Sequence, residues 1–212
     1  MTTIAVIGGT GYAGAAIVSE AAKRGLTVRS LSRTAPTDAP AGVEVITGSA
    51  LDAEVVARAT EGADVIVGSL SPRGELAGHL GEAYAVAIAA AKAAGAKLII
   101  VGGFSTLRPA AGAPRFAEGD EIPAAYIDEA REVAAFLPVL EAGGIDWLFV
   151  RPAQTYGTYN PGEALGHYRV SGDVAVFDEN GKSEISGADF GLGIVDLAVG
   201  DEHHRAHLQL TS

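Results

Sequence analysis

The residues best suited to chemistry come early in the chain. Gly8, Gly11 and Gly14, in the run Gly8-Gly9-Thr10-Gly11-Tyr12-Ala13-Gly14, form a G-x-x-G-x-x-G pattern. With 28 glycines in 212 residues the spacing alone carries little. Here, however, it directly follows a β-branched run, Ile4–Ile7, and opens an alanine-rich helical stretch from Tyr12 to Lys23. In that position Gly8 permits a tight turn, Gly11 lets the backbone approach a pyrophosphate, and Gly14 lets the helix pack close to a sheet. Thr10, Tyr12 and Ala13 complete the loop, and the helix N-terminus offers amide donors to the anion. The alternative is a glycine-rich turn with no ligand.

A second segment bears on which dinucleotide is taken. A site for NAD places an acidic residue at the end of the second strand, where it accepts from the ribose 2′-hydroxyl. This chain has Ser30-Leu31-Ser32-Arg33-Thr34 there, and no carboxylate follows until Asp38. Arg33 can pair with a 2′-phosphate, with Ser32 and Thr34 as further donors, so NADP(H) is the expected cofactor. A merely solvated loop arginine is the competing reading.

The elements that must position these residues alternate along the chain. Strand-like runs at Ile4–Ile7, Thr27–Leu31, Val43–Ile46, Asp64–Val67, Lys97–Val101 and Ile145–Val150 are separated by helical stretches near Tyr12–Lys23, Asp52–Ala59, Glu75–Ala94 and Ala124–Glu141. Such alternation argues for an α/β fold: one domain spanning 1–212, a doubly wound, Rossmann-type parallel sheet flanked by helices. Six βα units are too few to close a barrel. Ser69 and Leu70, Gly102 and Gly103, and Pro152 follow the fourth, fifth and sixth strands, at the carboxyl ends where open sheets bind ligands. Two long loops, at about 105–123 and 152–172, follow the same ends and are expected to cover a ligand.

Composition narrows the partners. The net charge is −11, which disfavours nucleic acid and anionic membrane surfaces. Local amide donors still allow an anionic cofactor. There is no cysteine, which removes disulfides, thiolate catalysis and cysteine-ligated zinc. The segment from Met1 runs straight into the first strand with neither a basic region nor a small-residue cleavage site, so a cytoplasmic location is expected. The apolar stretch Ala83–Ala96 is too short to span a bilayer and is interrupted by Lys92. His203, His204 and His207 lack acidic companions in a tight pattern, so no metal site is expected.

Beyond these motifs the sequence resembles the atypical short-chain dehydrogenases. It is most similar to the NADH-flavin reductase-like group related to biliverdin reductase B and to NmrA-type proteins. The segments that carry the resemblance are the glycine motif, Val101 to Leu107, Ile122 to Tyr126, Asp146-Trp147, Arg151 to Ala153, Pro161 to Arg169, and Gly181 to Ser186 with Asp189. The chain departs from the pattern at Thr106, where the family has serine, at Phe104-Ser105, where it has Ala-Gly, and at Ser49, where it has an aspartate that contacts adenine.

Short-chain dehydrogenases use a tyrosine with a lysine four residues on, which lowers the phenol pKa from about 10. Four positions after Tyr12, Tyr84, Tyr126, Tyr156, Tyr159 and Tyr168 stand Ala16, Ile88, Ala130, Asn160, Glu163 and Gly172. The usual carbonyl acid–base pair is therefore missing. A flavin or quinone acceptor relaxes that need, because its reduced ring spreads charge and mainly has to be held flat against the nicotinamide. The resemblance thus implies an NADPH-dependent reductase of a small flavin- or quinone-type acceptor, with Thr106, Ser105 or Tyr126 giving one hydrogen bond. Thr106 and Ser105 equally suit a turn after the fifth strand, and Tyr126 a helix start. The alternative function is a non-catalytic redox sensor of NmrA type that binds NADP(H). Ser186 and Asp189 read as a helix cap rather than as catalytic residues.

Overall fold

The structure is a computed structural model describing residues 2–120 and 122–212. Met1, at the head of the first strand-like run, and Glu121, inside the loop expected at 105–123, lie outside the described residues. The first strand, β1 (Thr3–Ile7), lies between β2 (Thr27–Ser32) and β4 (Val65–Gly68), with Ile4 level with Val28 and Val65. β3 (Val43–Thr47) forms one edge, while β5 (Lys97–Val101) and β6 (Trp147–Arg151) continue the parallel sheet on the other side. The order β3-β2-β1-β4-β5-β6, continued by β8 (Ala206–Thr211) and β7 (Arg169–Ser171), reverses direction between β1 and β4. Ligands of doubly wound sheets bind at such a point.

Both faces are covered. α1 (Tyr12–Lys23) and α6 (Gly187–Val199) pack on one side over Val6, Val67, Ile99 and Val150. α2 (Ala53–Thr60), α3 (Leu80–Ala94), α4 (Ala124–Ala135) and the short α5 (Leu137–Glu141) flank the other. There Ile66, Leu98 and Phe149 meet Tyr84, Phe136 and Leu140. Strands apolar on both faces explain why the central segments read as unbroken hydrophobic runs. Each such side chain stabilises the fold by about 1.5–3 kcal/mol on burial.

The structure differs from the expected elements in three places. The expected helix 75–94 begins only at Leu80, because Gly74–Leu76 makes a 3-10 turn first. The expected helix 124–141 is two helices, with Phe136 at their junction and Pro138 in the first turn of the second. Proline tolerates that position but not a helix interior. Two further strands, β7 (Arg169–Ser171) and β8 (Ala206–Thr211), complete the sheet; β8 runs parallel to β6 and β7 antiparallel to β8. The histidines near the C-terminus belong to this edge. His204 Nδ1 lies 2.8 Å from Asp146, and His207 Nε2 lies 2.9 Å from Glu141 with its ring edge-on to Trp147.

One ion cluster ties the long loops to the sheet. Arg151, fully buried at the end of β6, donates to Asp173 at 2.5 Å, to the Leu208 carbonyl at 3.1 Å and to the Thr106 carbonyl at 3.3 Å. Arg115 donates to the same Asp173 oxygen at 2.7 Å and to Thr106, and Arg108 reaches the other oxygen at 3.0 Å. Burial of the carboxyl opposes ionisation, yet hydrogen bonds from Arg115 and Arg151 bring Asp173 down to about 2 from an ordinary 3.8. Burial draws Arg151 down to about 10, so it too is charged at neutral pH. Three cations thus share one anion, and the anion cannot be removed cheaply.

Asp173→Asn should therefore lower stability at pH 7 by about 2–3 kcal/mol in urea unfolding, a value reduced from the fully buried range because Asp173 is 30% exposed. A depressed carboxylate contributes stability that is complete above 3.8 and is lost as pH falls through about 2. The gap between the two proteins should close over that window. Equal unfolding midpoints at pH 7 would show that the cluster does not hold the loops.

Candidate functional site

The glycine run makes the turn that its spacing implies. The amides of Gly8 and Gly9 both donate to the Leu31 carbonyl, at 2.8 and 3.1 Å, folding the chain back at the end of β1. Gly8 adopts φ +92°, and a Cβ there would run into the Ser69 carbonyl at the end of β4. A Cβ on Gly14 would overlap the Gly8 carbonyl. These two positions press the start of α1 onto the strand ends.

Gly11 differs from its neighbours. It is the N-cap of α1 with φ −69°, an ordinary conformation, and the space beside it is bounded only by the Gly8 carbonyl at 3.3 Å and the Ser69 carbonyl at 3.9 Å. No side chain caps α1, so the first-turn amides from Tyr12 to Gly14 are left for a ligand. Thr10 and Gly11 are exposed, Ala13 is buried, and Leu70 stands beside Gly8 with its amide 3.3 Å from the buried Tyr84 hydroxyl. An open, uncapped helix end that a Cβ would obstruct fits a dinucleotide pyrophosphate.

At the end of β2 the expected donors separate. Arg33 is exposed just beyond the carboxyl end of β2, as is Thr34. Ser32 is buried, and its hydroxyl donates to the Thr34 carbonyl at 2.8 Å, so it shapes the turn rather than facing a ligand. A residue that the sequence did not single out for this place is Glu75. It arrives on the 3-10 turn before α3, with Oε1 3.9 Å from Arg33 Nε and accepting from the Ser49 hydroxyl at 3.2 Å. The only signal for it was its distance in sequence beyond the fourth strand, which does not say which strand end it reaches.

Beyond β5 the chain passes through Gly102, packed against the Phe149 ring, and Gly103, then makes a 3-10 turn at Phe104–Thr106. Thr106 is fully buried and its hydroxyl donates to the Gly103 carbonyl at 2.7 Å, which orients it into the fold and away from any acceptor. Ser105, half-buried on the same turn, carries a hydroxyl with no hydrogen bond among the described residues. Phe104 stacks on Phe116 with centroids 5.3 Å apart and makes a T-shaped pair with Phe177 at 6.1 Å. Phe177 is 42% exposed. Three phenyl rings from three segments thus make an apolar shelf beside Ser105. Tyr126 opens α4 and is 58% exposed, so it lies in solvent and is not drawn onto Ser105 and Thr106 by a hydrogen bond.

The loop after β6 folds back onto the glycine turn. Pro152 is buried, Tyr12 donates to the Pro161 carbonyl at 3.4 Å, and its ring meets Tyr156 edge-on at 5.1 Å. Asp189 receives the amides of Leu165 and Gly166 at 2.9 and 2.8 Å, while Ser186 caps α6. Burial pushes the hydroxyls of Tyr84 and Tyr156 well up from 10, and burial with the bond to Asp196 does the same for Tyr168. These three phenols stay protonated at neutral pH and are unsuited to acid–base exchange.

Comparison with known proteins agrees with this geometry. A family model described as NAD(P)H-binding matches residues 8–198. The chain is 26% identical to the uncharacterized protein YwnB of Bacillus subtilis, over 99% of this chain and 98% of that one. Among solved structures it is similar to a proposed exported protein of Burkholderia pseudomallei, 30% identical, with TM-score 0.87 and all of both chains covered. A Streptococcus pneumoniae protein proposed to be an NADH-flavin reductase has TM-score 0.88 at 24% identity, again over all of both chains. The anaerobillin reductase ChuY of Escherichia coli has TM-score 0.77 at 22% identity, covering 99% of this chain and 97% of that one. The last two share the fold.

The glycines separate by what an alanine would do. Gly11→Ala keeps an allowed backbone and should unfold at nearly the parent temperature, yet lose NADPH and NADH binding in calorimetric titration. Gly14→Ala should destabilise the fold by about 1–3 kcal/mol, because the helix must shift off the Gly8 carbonyl. Native cofactor affinity in Gly11→Ala would reduce the motif to a turn.

Proposed function

The chain belongs to the NAD(P)H-binding family, and from that premise we propose that it is an NADPH-dependent reductase acting on a flat, conjugated acceptor of flavin or quinone type. Bound along the strand ends, the nicotinamide supplies hydride. The residues supply position. The first turn of α1 holds the pyrophosphate, Arg33 faces the 2′-phosphate, and Ser69, Leu70, Gly102, Gly103 and Pro152 line the strand ends between that anchor and the acceptor.

The observation that carries the choice of acceptor is the phenylalanine shelf. Phe104, Phe116 and Phe177 form an apolar cluster that begins on the turn carrying Ser105, whose hydroxyl makes no hydrogen bond among the described residues. A planar ring stacks there favourably and excludes water from one side. Reduction of a quinone or flavin takes up a hydride and a proton, and the charge spread over the ring lets water deliver the proton. A simple ketone, whose alkoxide is localised, needs a positioned acid. None of the six tyrosines is followed four residues later by lysine. The names of two neighbours, the pneumococcal protein proposed to be an NADH-flavin reductase and the E. coli anaerobillin reductase, support a reductase reading. Among the described residues no helix is long and apolar enough to cross a membrane. The cytoplasm, where reduced nicotinamide is maintained, is the compartment this reading requires.

The test is NADPH oxidation against FMN, FAD and a panel of quinones, with aldehydes and ketones as controls. Turnover is expected with the ring acceptors and little with the controls. Tight NADPH binding without turnover of any acceptor would replace this reading by the redox-sensor one. Ser105→Ala should slow turnover about tenfold or less, the worth of one neutral hydrogen bond, and Tyr126→Phe, whose hydroxyl lies in solvent, should change it little. Arg33→Ala should weaken NADPH by about 1.5–3 kcal/mol and leave NADH nearly unchanged, and equal losses would remove the 2′-phosphate assignment.

A further inference from the structure

Arg33 does not stand alone at the end of β2. Its guanidinium lies along the backbone of Gly74, where a Cβ would come within 2.9 Å of Nη1, and Gly74 has φ +61°. The next residue, Glu75, places Oε1 3.9 Å from Arg33 Nε, and the same oxygen accepts from Ser49 at 3.2 Å. The turns after β2, β3 and β4 therefore bring one cation, one hydroxyl and one carboxylate to a single spot. Arg33 is 61% and Glu75 38% exposed, so both remain accessible to a ligand.

From this juxtaposition we propose that Glu75 sets how sharply the site discriminates between a 2′-phosphate and a 2′-hydroxyl on the adenosine ribose. The inference rests on the assignment of Arg33 to that ribose. A 2′-phosphate that takes Arg33 as donor comes to rest beside the Glu75 carboxylate, and the two anions repel. A 2′-hydroxyl in the same place donates to Glu75, as it donates to the acidic residue at the end of β2 in sites for NAD. Glu75 thus weakens NADPH and strengthens NADH, and it supplies from a neighbouring loop the carboxylate that the second strand lacks. Ser49 holds the carboxylate in place through its hydroxyl.

The experiment measures dissociation constants of NADPH, NADH, 2′,5′-ADP and 5′-AMP by calorimetry for the parent protein, Glu75→Gln, Ser49→Ala and Arg33→Ala. Glu75→Gln keeps the shape and removes the charge, so NADPH and 2′,5′-ADP should bind about fivefold tighter, the scale of one exposed charge–charge interaction. NADH and 5′-AMP should bind no tighter or slightly weaker. In about 1 M salt, where the screening length is about 3 Å, the gain for the phosphate ligands should largely vanish. Ser49→Ala should move the ratio of the two affinities less than Glu75→Gln does. If Glu75→Gln changes NADPH and NADH equally, or neither, while Arg33→Ala still weakens NADPH selectively, the role of Glu75 is overturned and the cofactor assignment stands. If Arg33→Ala weakens both cofactors equally, the cofactor assignment itself falls and this inference falls with it.

Discussion

A helix can start directly on the end of a strand only if no side chain stands between them. Here that condition falls on Gly8 and Gly14, which bring the first turn of α1 against the carbonyls of Gly8 and Ser69. Much else at the strand ends follows from this approach. It brings the uncapped amides of α1 to the crossover between β1 and β4, the point where the strand order reverses. It also sets Tyr12 against Tyr156 and the Pro161 carbonyl, so the loop after β6 lies beside the same helix start. One backbone contact thus defines both the seat for an anion and one wall beside it.

The opposite end of the cleft is built on a different principle. Phe104, Phe116 and Phe177 come from three segments joined only by short backbone pairings, the Phe116 amide donating to the Leu107 carbonyl at 3.0 Å and Arg108 bridging Val174. Arg108, Arg115 and Arg151 converge on Asp173 beneath them and hold those segments by charge. Rigid backbone geometry shapes the proposed seat for the pyrophosphate, and an ion cluster holds the segments of the proposed seat for the acceptor. The first depends on steric exclusion, which pH and salt leave alone. The second depends on a carboxylate remaining ionised.

Legibility in the sequence followed the range of the interaction. The glycine turn and α1 could be read because every determinant lies within a few residues, and Tyr12–Lys23 is the helix found. The continuous apolar strands were legible for the same reason. β8 could not be read because His207 and Gln209 interrupt its apolar residues, and the partners they find, Glu141 for His207 Nε2 and the Val176 amide for Gln209, are tertiary. Thr106 could be placed on the turn after β5, but the direction of its hydroxyl depends on the 3-10 geometry that offers it the Gly103 carbonyl. Glu75 and Asp173 could not be assigned to their partners at all, since nothing local to either residue encodes a distant arginine. Side-chain charge tells what a residue wants, and only the fold tells whom it meets.

The sharing of Asp173 among three arginines also bears on motion. Segments fastened to separate partners would breathe separately, each with its own opening equilibrium. Segments fastened to one carboxylate are coupled through it: if the stretch carrying Asp173 lifts away, all three arginines lose their counter-ion at once. Opening of the approach to β7 is therefore expected to loosen the stretch carrying Arg108 and Arg115 and the end of β6 in step, as one foldon. Under the proposed function, admission of a bulky ring would then depend on the Asp173 segment rather than on the yielding of one flexible loop.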